Sequence, residues 1–491
     1  MSPILFNFFL NKTPDVIDTT CDPVEIGNNK SSTLMWCDDL VTFSKSAAGL
    51  QVAINKIHEH FTKLGLSVNK SKTKIVIFNR RGVSLADKPD HMFTLDGAKL
   101  EVVNEYQYLG LKLKSSGTFS HASEELFSKA SRSYFSISNT LYTHKKMPVQ
   151  KALSMFDTIV SPVALYGSEV WAPLVLPVKS FRDIDSVLRA WENFKPEILN
   201  QKVCRMLLGV HRKAARYAVL GELGRFPLLF RALSHTLKYE WHVSNKTPLS
   251  SLVSQALTEM RAMSDSNVDC WYNRVAKLKT LFNVPMFNNG TNPDLVGKRV
   301  QKLIESKFSI FWKREINRVK LVPGSNSDHN KLRFYNTLKS SFTIEPYLTL
   351  VENRNQRSWL SRIRISAHRL RIEIGRYTQP VTPVSERLCL YCSSDSIDNE
   401  LHLLACPTFY TKINCLYGKM SAVDSNFHNL PIEQKIVSLL CPAKTKPAKL
   451  FNKFIGIISS ARNRIDKGEP MDLAFVTNNF FESDSDDSDQ E

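Results

Sequence analysis

The sequence predicts an α+β protein: a small antiparallel sheet with helices comes first, and a mostly α-helical region with one small metal-binding segment follows. Short apolar, β-favouring runs alternate with a helical pattern across residues 33–113. From Ser120 onward, apolar residues recur at the spacing of a helix that is buried on one side. Cysteine and histidine then cluster within residues 389–406, at the spacing of a metal site.

A hairpin and a helix open the α+β region. Residues 33–36 and 40–43 are apolar runs on either side of Cys37-Asp38-Asp39, and a polar turn between two such runs predicts a hairpin. In residues 46–64 the apolar side chains share one helical face, and Gly65 stands where a helix commonly ends. A helix is therefore predicted directly after the hairpin.

The next elements are predicted from turn chemistry and periodicity. Asp96-Gly97 lies between two apolar runs, and this dipeptide favours the tight turn of a hairpin. Residues 75–78 predict a buried strand, and residues 106–113 predict a further one. From Ser120 onward the pattern is helical, and the stretch from Asp183 to about Phe342 is mostly helical and rich in lysine and arginine, with a loop or linker at residues 322–329.

The net charge of +18 indicates a negatively charged partner. Residues 482–491 contribute six negative charges, so the rest of the chain is more basic still. Such a surplus favours RNA and DNA over a neutral small molecule. An anionic membrane surface is the alternative, but neither end carries a strongly basic amphipathic anchor, and no run of 18 apolar residues exists.

Cysteine usage predicts the compartment. The chain has nine cysteines, and its apolar first ten residues lack both the basic start and the cleavage site of a signal peptide. Four of the cysteines lie within residues 389–415, which indicates metal binding in a reducing environment rather than disulfides. An intracellular location, in the nucleus or the cytoplasm, is expected.

Asp38 and Asp39 are the most specific feature of the N-terminal part. Aspartate is common in turns, so two adjacent aspartates alone carry little information. At the tip of an apolar hairpin, however, the paired strands hold both carboxylates rigidly. Carboxylate oxygens held in this way suit Mg²⁺, which keeps several waters and accepts substrate phosphates.

The order of motifs resembles the reverse transcriptases of non-LTR retrotransposons. Residues 36–39 (Trp-Cys-Asp-Asp) are similar to the family's (Tyr/Phe)-Ala-Asp-Asp motif, and residues 65–74 are similar to the Gly-Leu-x-x-Asn-x-x-Lys-Thr-Lys motif that follows it. Residues 105–110 resemble the primer grip, and residues 2–7 resemble the end of an upstream motif and the helix that it opens. Later landmarks at residues 165–171 and 221–227 also match, so the resemblance runs from residue 2 to about 420.

The resemblance implies an RNA-directed DNA polymerase, which extends a DNA primer on an RNA template with dNTPs and two Mg²⁺ ions. Asp38 and Asp39 are then the catalytic Mg²⁺ ligands, and Tyr108 and Gly110 contact nucleic acid. Lys72 would protonate the pyrophosphate leaving group, although a solvated surface lysine is an equal alternative. The family's first palm carboxylate lies upstream of the motif at residue 2, so we expect a truncated C-terminal part that is inactive alone.

The second constellation is Cys389-x2-Cys392-x9-His402-x3-Cys406. Three thiolates and an imidazole suit tetrahedral Zn²⁺, and the last two ligands have the spacing of one helical face. The alternative is a set of chance cysteines beside a core histidine. The cluster also resembles the C-terminal Cys-Cys-His-Cys knuckle of the same retroelements. Cys415 is not needed for four ligands.

An arginine-rich segment lies just before this cluster. Residues 354–377 contain seven arginines and a single acidic residue. Leu360, Ile363, Ala367 and Leu370 would dock one side of a helix while the arginines point outward. A charge run is usually only a solvated face, but arginine beside Trp359 and Tyr377 suits nucleic acid. Four arginines are predicted to contact it: Arg357, Arg362, Arg364 and Arg369.

These features predict six consecutive segments. They are a partial palm (1–115), a thumb-like helical region (116–180), a basic helical region (181–380), a zinc knuckle (385–420), a helical segment (421–475) and an acidic disordered tail (476–491). An alternative from a different class is a non-catalytic, zinc-containing nucleic-acid-binding protein derived from a retroelement. In that case Asp38 and Asp39 are inherited structure without a catalytic role.

Overall fold

A computed structural model of the 491-residue chain describes residues 2–17, 19–27, 29–31, 33–78, 93–144, 146–288, 290–318 and 331–467. Two units are each assembled from three stretches of chain. The first comprises Met1–Arg132, Ser161–Pro196 and Leu228–Ile304, and the second comprises Ser133–Val160, Glu197–Pro227 and Glu305–Glu491. The predicted α+β class is confirmed as a mostly helical protein with small sheets. The loop predicted at residues 322–329 and the acidic tail lie outside the described residues.

The strands of the first unit form hairpins and one three-stranded sheet. The antiparallel pairs are Val24–Ile26 with Asn29–Ser31, Thr33–Trp36 with Asp39–Thr42, and Glu105–Tyr108 with Leu111–Lys114. The three-stranded sheet has Ala98–Val102 at its centre, antiparallel to Phe93–Leu95 and parallel to Lys74–Ile75. The hairpins predicted at Asp38-Asp39 and at Asp96-Gly97 are confirmed.

Two strand predictions were wrong in their extent. Residues 75–78 do not form a full strand, because pairing ends at Ile75 and Phe78 is exposed. Residues 106–113 are two strands instead of one. Leu109 (φ 45°) and Gly110 (φ 83°) adopt left-handed conformations, which reverse the chain. The described strands therefore form separate small sheets, whereas a single antiparallel sheet was predicted.

The predicted helix after the first hairpin spans Ala47–Lys63. The Ser46 hydroxyl caps its start by accepting from the Gly49 N–H, and Gly65 (φ 73°) follows its end in the left-handed conformation. Leu50 and Ile54 of this helix pack on the three-stranded sheet. The buried sheet residues of that small core are Ile75, Phe93, Leu95 and Leu100.

Helices complete the first unit, and buried aromatic rings hold them together. The Trp171 and Trp191 rings are stacked with centroids 6.4 Å apart, and the Trp171 indole N–H donates to the Tyr166 carbonyl. Ser2–Phe9 is helical, as the resemblance to the upstream motif implies. The other α-helices that lie wholly in this unit are Ser161–Ala164, Ser168–Val175, Ile184–Trp191, Leu229–Asn245, Leu252–Asp265 and Trp271–Phe282.

Three helices contribute residues to both units: Ser120–Thr143, Lys195–Leu208 and Pro293–Ile316. The other α-helices of the second unit are Val149–Met155, Arg216–Glu222, Tyr335–Leu338, Tyr347–Leu350, Arg354–Arg364, Arg371–Ile374, Tyr410–Ser421, Ile432–Leu440 and Thr445–Asp466. The apolar residues predicted to dock one side of a helix do not share one helix, because Ala367 and Leu370 lie between Arg354–Arg364 and Arg371–Ile374. Ser366 has a φ of 52°, which breaks the helical hydrogen-bond pattern between the two shorter helices.

Buried contacts within the second unit involve three residues of the segment Gly221-Glu222-Leu223-Gly224-Arg225. Glu222 pairs with Arg364, and Arg225 makes a two-pronged ion pair with Asp157 at 2.6 and 2.7 Å. Gly224 (φ 55°) lies against the backbone of Ile344, where an added Cβ would come within 2.6 Å of the amide nitrogen. The segment at residues 221–227, which the resemblance places beyond the thumb, therefore helps to hold the second unit together through buried ion pairs and a close backbone contact.

We expect Gly224→Ala to lower the free energy of unfolding by about 1–3 kcal/mol, because the new methyl group meets backbone and the left-handed conformation strains alanine. Gly418→Ala is the matched control: it lies inside the helix Tyr410–Ser421, with nothing within 4 Å of an added Cβ. The control should be neutral or stabilising by up to about 1 kcal/mol. Urea unfolding measures both, and equal stabilities would contradict the close approach at Gly224.

No helix within the described residues is long and apolar enough to cross a membrane. The longest ones, such as Thr445–Asp466, have an apolar stripe on one side and charged residues on the other.

Candidate functional site

The Asp-Asp hairpin (Thr33–Trp36 and Asp39–Thr42) places both aspartates at its tip. Trp36 pairs with Asp39, so Cys37 and Asp38 form a two-residue turn, and Cys37 has a φ of 54°. The side chains of Asp38 and Asp39 are exposed, and no lysine, arginine or histidine of the described chain pairs with them. Two adjacent, unneutralised carboxylates fit a hard cation such as Mg²⁺.

The Tyr108 hairpin consists of Glu105–Tyr108 and Leu111–Lys114. Burial raises the pKa of the Tyr108 phenol, and the negative charge of Asp39 raises it further, so Tyr108 lies within electrostatic range of the Asp-Asp hairpin. The turn at Leu109 and Gly110 is held from the other side, because the Tyr166 hydroxyl donates to the Leu109 carbonyl at 2.9 Å. The primer-grip-like motif is therefore a tight hairpin turn that Tyr166 holds in place.

Lys72 lies on an exposed loop that Asn69 shapes. The Asn69 side-chain oxygen accepts from the Lys72 backbone N–H at 3.0 Å, and the Thr73 hydroxyl donates to the Asn69 carbonyl. The flanking lysines are engaged, since Lys70 pairs with Asp96 and Lys74 pairs with Glu101. The Lys72 ammonium has no carboxylate partner among the described residues, and no contact there joins it to Asp38 or Asp39.

The four predicted zinc ligands converge in the second unit. The ligand atoms of Cys389, Cys392, His402 and Cys406 all lie within 4.8 Å of one another. Cys389 Sγ is 4.0 Å from Cys406 Sγ, and Cys392 Sγ is 3.4 Å from His402 Nε2. Such separations fit the edges of a tetrahedron of ligands around one Zn²⁺. His402 starts a short 3-10 helix that ends at Leu404, so the predicted α-helical face is not what positions Cys406.

Backbone hydrogen bonds to the sulfur atoms of this cluster favour the thiolate form of the three cysteines. Backbone N–H groups of Tyr391, Ser394 and Thr408 donate to the sulfurs of Cys389, Cys392 and Cys406, respectively. Burial lowers the pKa of His402, which keeps its imidazole neutral and able to ligate. Burial also raises the pKa of Cys389 to about 12, so a metal must displace the thiol protons as it binds.

Asp398 and Arg462 support the cluster, and the sequence reasoning missed both. Asp398 accepts from the Arg462 guanidinium and from the Arg371 N–H, each at 2.8 Å. The Arg462 guanidinium lies 4.7 Å from the Tyr391 ring centroid, over the turn between Cys389 and Cys392. An aspartate near the knuckle was visible in the sequence, but no local signal pairs it with an arginine 64 residues away.

The four arginines predicted to contact nucleic acid divide into two pairs. Arg369 is exposed and Arg362 is half-buried, whereas Arg357 and Arg364 are almost completely buried. Arg364 pairs with Glu222 and Glu345, and Arg357 donates to the Glu352 carbonyl at 2.7 Å. Burial lowers the pKa of Arg357 to about 10. The expectation that the arginines point outward is corrected for this pair: no phosphate can reach a guanidinium enclosed by protein.

Comparison with known proteins adds an independent result. Residues 1–113 match the reverse transcriptase (RNA-dependent DNA polymerase) family. The chain is 27% identical over 152 residues to a putative uncharacterized transposon-derived protein of Caenorhabditis elegans, covering 30% of this chain and 51% of that protein. It is 25% identical over 121 residues to a retrovirus-related Pol polyprotein from a type-2 retrotransposable element of Drosophila melanogaster, covering 24% of this chain and 11% of the polyprotein.

The chain therefore spans about half the length of the first relative and about a tenth of the second. No solved structure matches it. The matched family region contains the Asp-Asp hairpin and all but the last residue of the Tyr108 hairpin, which are the elements on which the sequence resemblance depends. Residues 1–113 of this chain are accordingly a reverse transcriptase segment of the non-LTR retrotransposon kind.

Proposed function

We propose that this chain is part of an RNA-directed DNA polymerase that extends a DNA primer on an RNA template. The observation that carries the proposal is the pair of exposed carboxylates, Asp38 and Asp39, at the tip of a hairpin that lies inside the region matching the reverse transcriptase family. Asp38 and Asp39 would hold Mg²⁺, which supplies charge stabilisation for the phosphoryl transfer from a dNTP. Tyr108 and Gly110 would contact the primer strand.

Lys72 is proposed as the proton donor to the pyrophosphate. The proposal is supported by a difference between Lys72 and its neighbours. Lys70 and Lys74 form ion pairs, whereas Lys72 is exposed and has no carboxylate partner among the described residues. A donor must reach the leaving group when the substrate is bound, and a long side chain on an exposed loop has that freedom.

The second unit is proposed to bind nucleic acid and one Zn²⁺. The Cys3His arrangement of Cys389, Cys392, His402 and Cys406 supports the zinc, because soft thiolates with one imidazole select this ion. Arg362 and Arg369, whose guanidinium groups are not enclosed, support the contact with RNA or DNA. An intracellular location fits reduced cysteines at such a site.

A primer-extension assay tests the polymerase proposal. Residues 1–491 alone should not extend a primer with Mg²⁺ and dNTPs, because Asp38 and Asp39 supply two of the three carboxylates that the family's palm uses. A chimera that joins the preceding palm region of the Drosophila polyprotein to residue 1 should extend it. In the chimera, Asp38→Asn should lower the rate on the order of 10³-fold or more.

Asp96→Asn is the matched control, because Asp96 is also an exposed aspartate in a hairpin turn and pairs only with surface groups. It should leave the chimera's rate unchanged. Extension by residues 1–491 alone that disappears in Asp38→Asn would overturn the expectation of inactivity. An inactive chimera that still binds RNA would favour the second candidate, a non-catalytic nucleic-acid-binding protein, for which the excess of basic residues is the specific observation.

A further inference from the structure

A cavity of about 780 Å³ lies within the second unit, away from the cysteine cluster. It is formed by the end of the helix Ser120–Thr143, by residues 198–216 and by the helix Arg354–Arg364. We call it the basic cavity, because six of its lining residues are cationic and none is acidic: Lys202, Arg205, Arg212, Arg216, Arg354 and Arg362. Its size is that of pockets that hold nucleotide-sized ligands.

Neutral groups hold Arg362, Arg354 and Lys202 in place. The Arg362 guanidinium donates to the Gly209 carbonyl at 2.8 Å and lies 5.0 Å from the Trp359 ring centroid. Arg354 lies 5.3 Å from the Tyr142 ring centroid, and Lys202 lies 5.3 Å from that of Phe135. Such contacts fix the direction of a side chain and leave its charge uncompensated.

Some buried arginines of the unit do have carboxylate partners. Buried Arg364 is neutralised by Glu222 and Glu345, whereas buried Arg357 donates to backbone carbonyls. Around the basic cavity, Lys202, Arg205, Arg212, Arg354 and Arg362 have no carboxylate partner within the described part of the chain.

The cations around the cavity repel one another, and this repulsion affects the pKa values of Arg205 and His211. Burial lowers the pKa of Arg205, and the nearby charge of Arg216 lowers it further. Burial also lowers the pKa of His211, as do the charges of Lys331, Arg362, Lys213 and Arg205. An anion placed in the cavity would relieve this repulsion.

The basic surface continues beyond the cavity, which favours a strand over a small anion. Next to Arg212, Lys213 lies 4.9 Å from the Tyr377 ring centroid, and Lys331 donates to the Tyr377 hydroxyl at 3.0 Å. Tyr377 and the cavity residue Tyr142 are each about half exposed. Cations interleaved with exposed aromatic rings match the alternation of phosphates and bases along a single strand.

We propose that the basic cavity binds the phosphodiester backbone of single-stranded nucleic acid, RNA or DNA, with Arg205, Arg354 and Arg362 as its principal phosphate contacts. The strand would continue over Arg212 toward Tyr377. The inference deepens the proposed function and rests on it for the kind of ligand, but it assigns the contact to this site and not to the buried arginines of residues 354–377.

Fluorescence anisotropy on residues 1–491 tests the site, with labelled 20-mers of oligo-U and oligo-dT across a range of salt concentrations. The variant Arg205→Gln/Arg354→Gln/Arg362→Gln removes three proposed contacts. Since each contact contributes about 0.7 to the log–log salt slope of a single strand, the slope should become about 2 less steep. The same relation predicts an affinity about a hundredfold weaker at 0.1 M salt. Equal losses for the two oligomers indicate recognition of the backbone, and a larger loss for RNA indicates contact with the 2′-hydroxyl.

A matched control separates this site from general charge. The control variant is Lys444→Gln/Lys446→Gln/Lys449→Gln, which removes the same charge from exposed positions that do not line the cavity. It should change the log–log salt slope by less than about 0.7, the contribution of one phosphate contact. If the arginine variant does not fold, Lys202→Gln/Arg212→Gln changes only exposed rim residues and should lower the slope by about 1.4.

The possible results are distinct. Salt-dependent binding that the cavity variants weaken and the lysine control does not supports the proposal. Salt-dependent binding that all variants weaken equally overturns the basic cavity as the site but leaves nucleic-acid binding intact. An affinity for both oligomers that does not depend on salt overturns the cavity and the nucleic-acid part of the proposed function together.

Discussion

Arg364→Met is expected to lower the free energy of unfolding by about 3–5 kcal/mol, because it leaves a buried carboxylate without its partner. Both side chains of the Arg364–Glu222 pair are 0% exposed, with Nε and Oε2 separated by 2.8 Å. Arg364 also donates to Glu345 and to the Leu440 carbonyl, each at 2.6 Å. The Tyr347 hydroxyl donates to Glu222 as well, but one neutral donor cannot replace a guanidinium.

Urea unfolding of full-length variants measures this effect. Arg369→Met is the matched control, because it removes an exposed arginine from the same segment and should cost less than about 0.5 kcal/mol. Adding Glu222→Gln to Arg364→Met should recover part of the loss, since the buried group is then neutral. If Arg364→Met is as stable as Arg369→Met, Arg364 is not buried against carboxylates and its assignment as a nucleic-acid contact returns.

Loss of one zinc ligand is expected to unfold the knuckle around residues 387–409. Protein purified without chelator should contain one zinc per chain, and Cys392→Ser or Cys406→Ser should lose it. Zinc binding contributes about 10–16 kcal/mol to the folding of isolated zinc-finger peptides, so the metal dominates the stability of such a small segment. The turn between Cys392 and Asp398 should open first, because most of it is exposed or half-buried and little packing holds it without the metal.

Elemental analysis and limited proteolysis measure zinc content and local unfolding separately. Cys415→Ser is the control, since Cys415 lies nearby on the helix Tyr410–Ser421 but outside the group of converging ligand atoms. This variant should retain the metal and resist proteolysis like the unmodified chain. An absence of zinc from the unmodified chain, or an equal loss in Cys415→Ser, would count against the four-ligand site.

Several features of the fold could be predicted because they depend on neighbouring residues only. The Asp96-Gly97 turn and the capping of the helix Ala47–Lys63 by Ser46 involve contacts within a few positions of the chain. The same holds for the closeness of Cys389 and Cys392, which are three residues apart. Predictions failed where the pattern was ambiguous: an apolar run from residue 106 to 113 does not reveal that Leu109 and Gly110 reverse the chain.

Short-range spacing alone encodes the α+β class, the Asp-Asp hairpin and the grouping of Cys389, Cys392, His402 and Cys406. Tertiary structure decided which arginines are available to a ligand. Arg364 and Arg369 are equivalent in the sequence, but only Arg364 meets a carboxylate 142 residues away. The basic cavity likewise exists only once three distant stretches come together, and local sequence carries no signal for contacts whose partners are set by the packing of the whole unit.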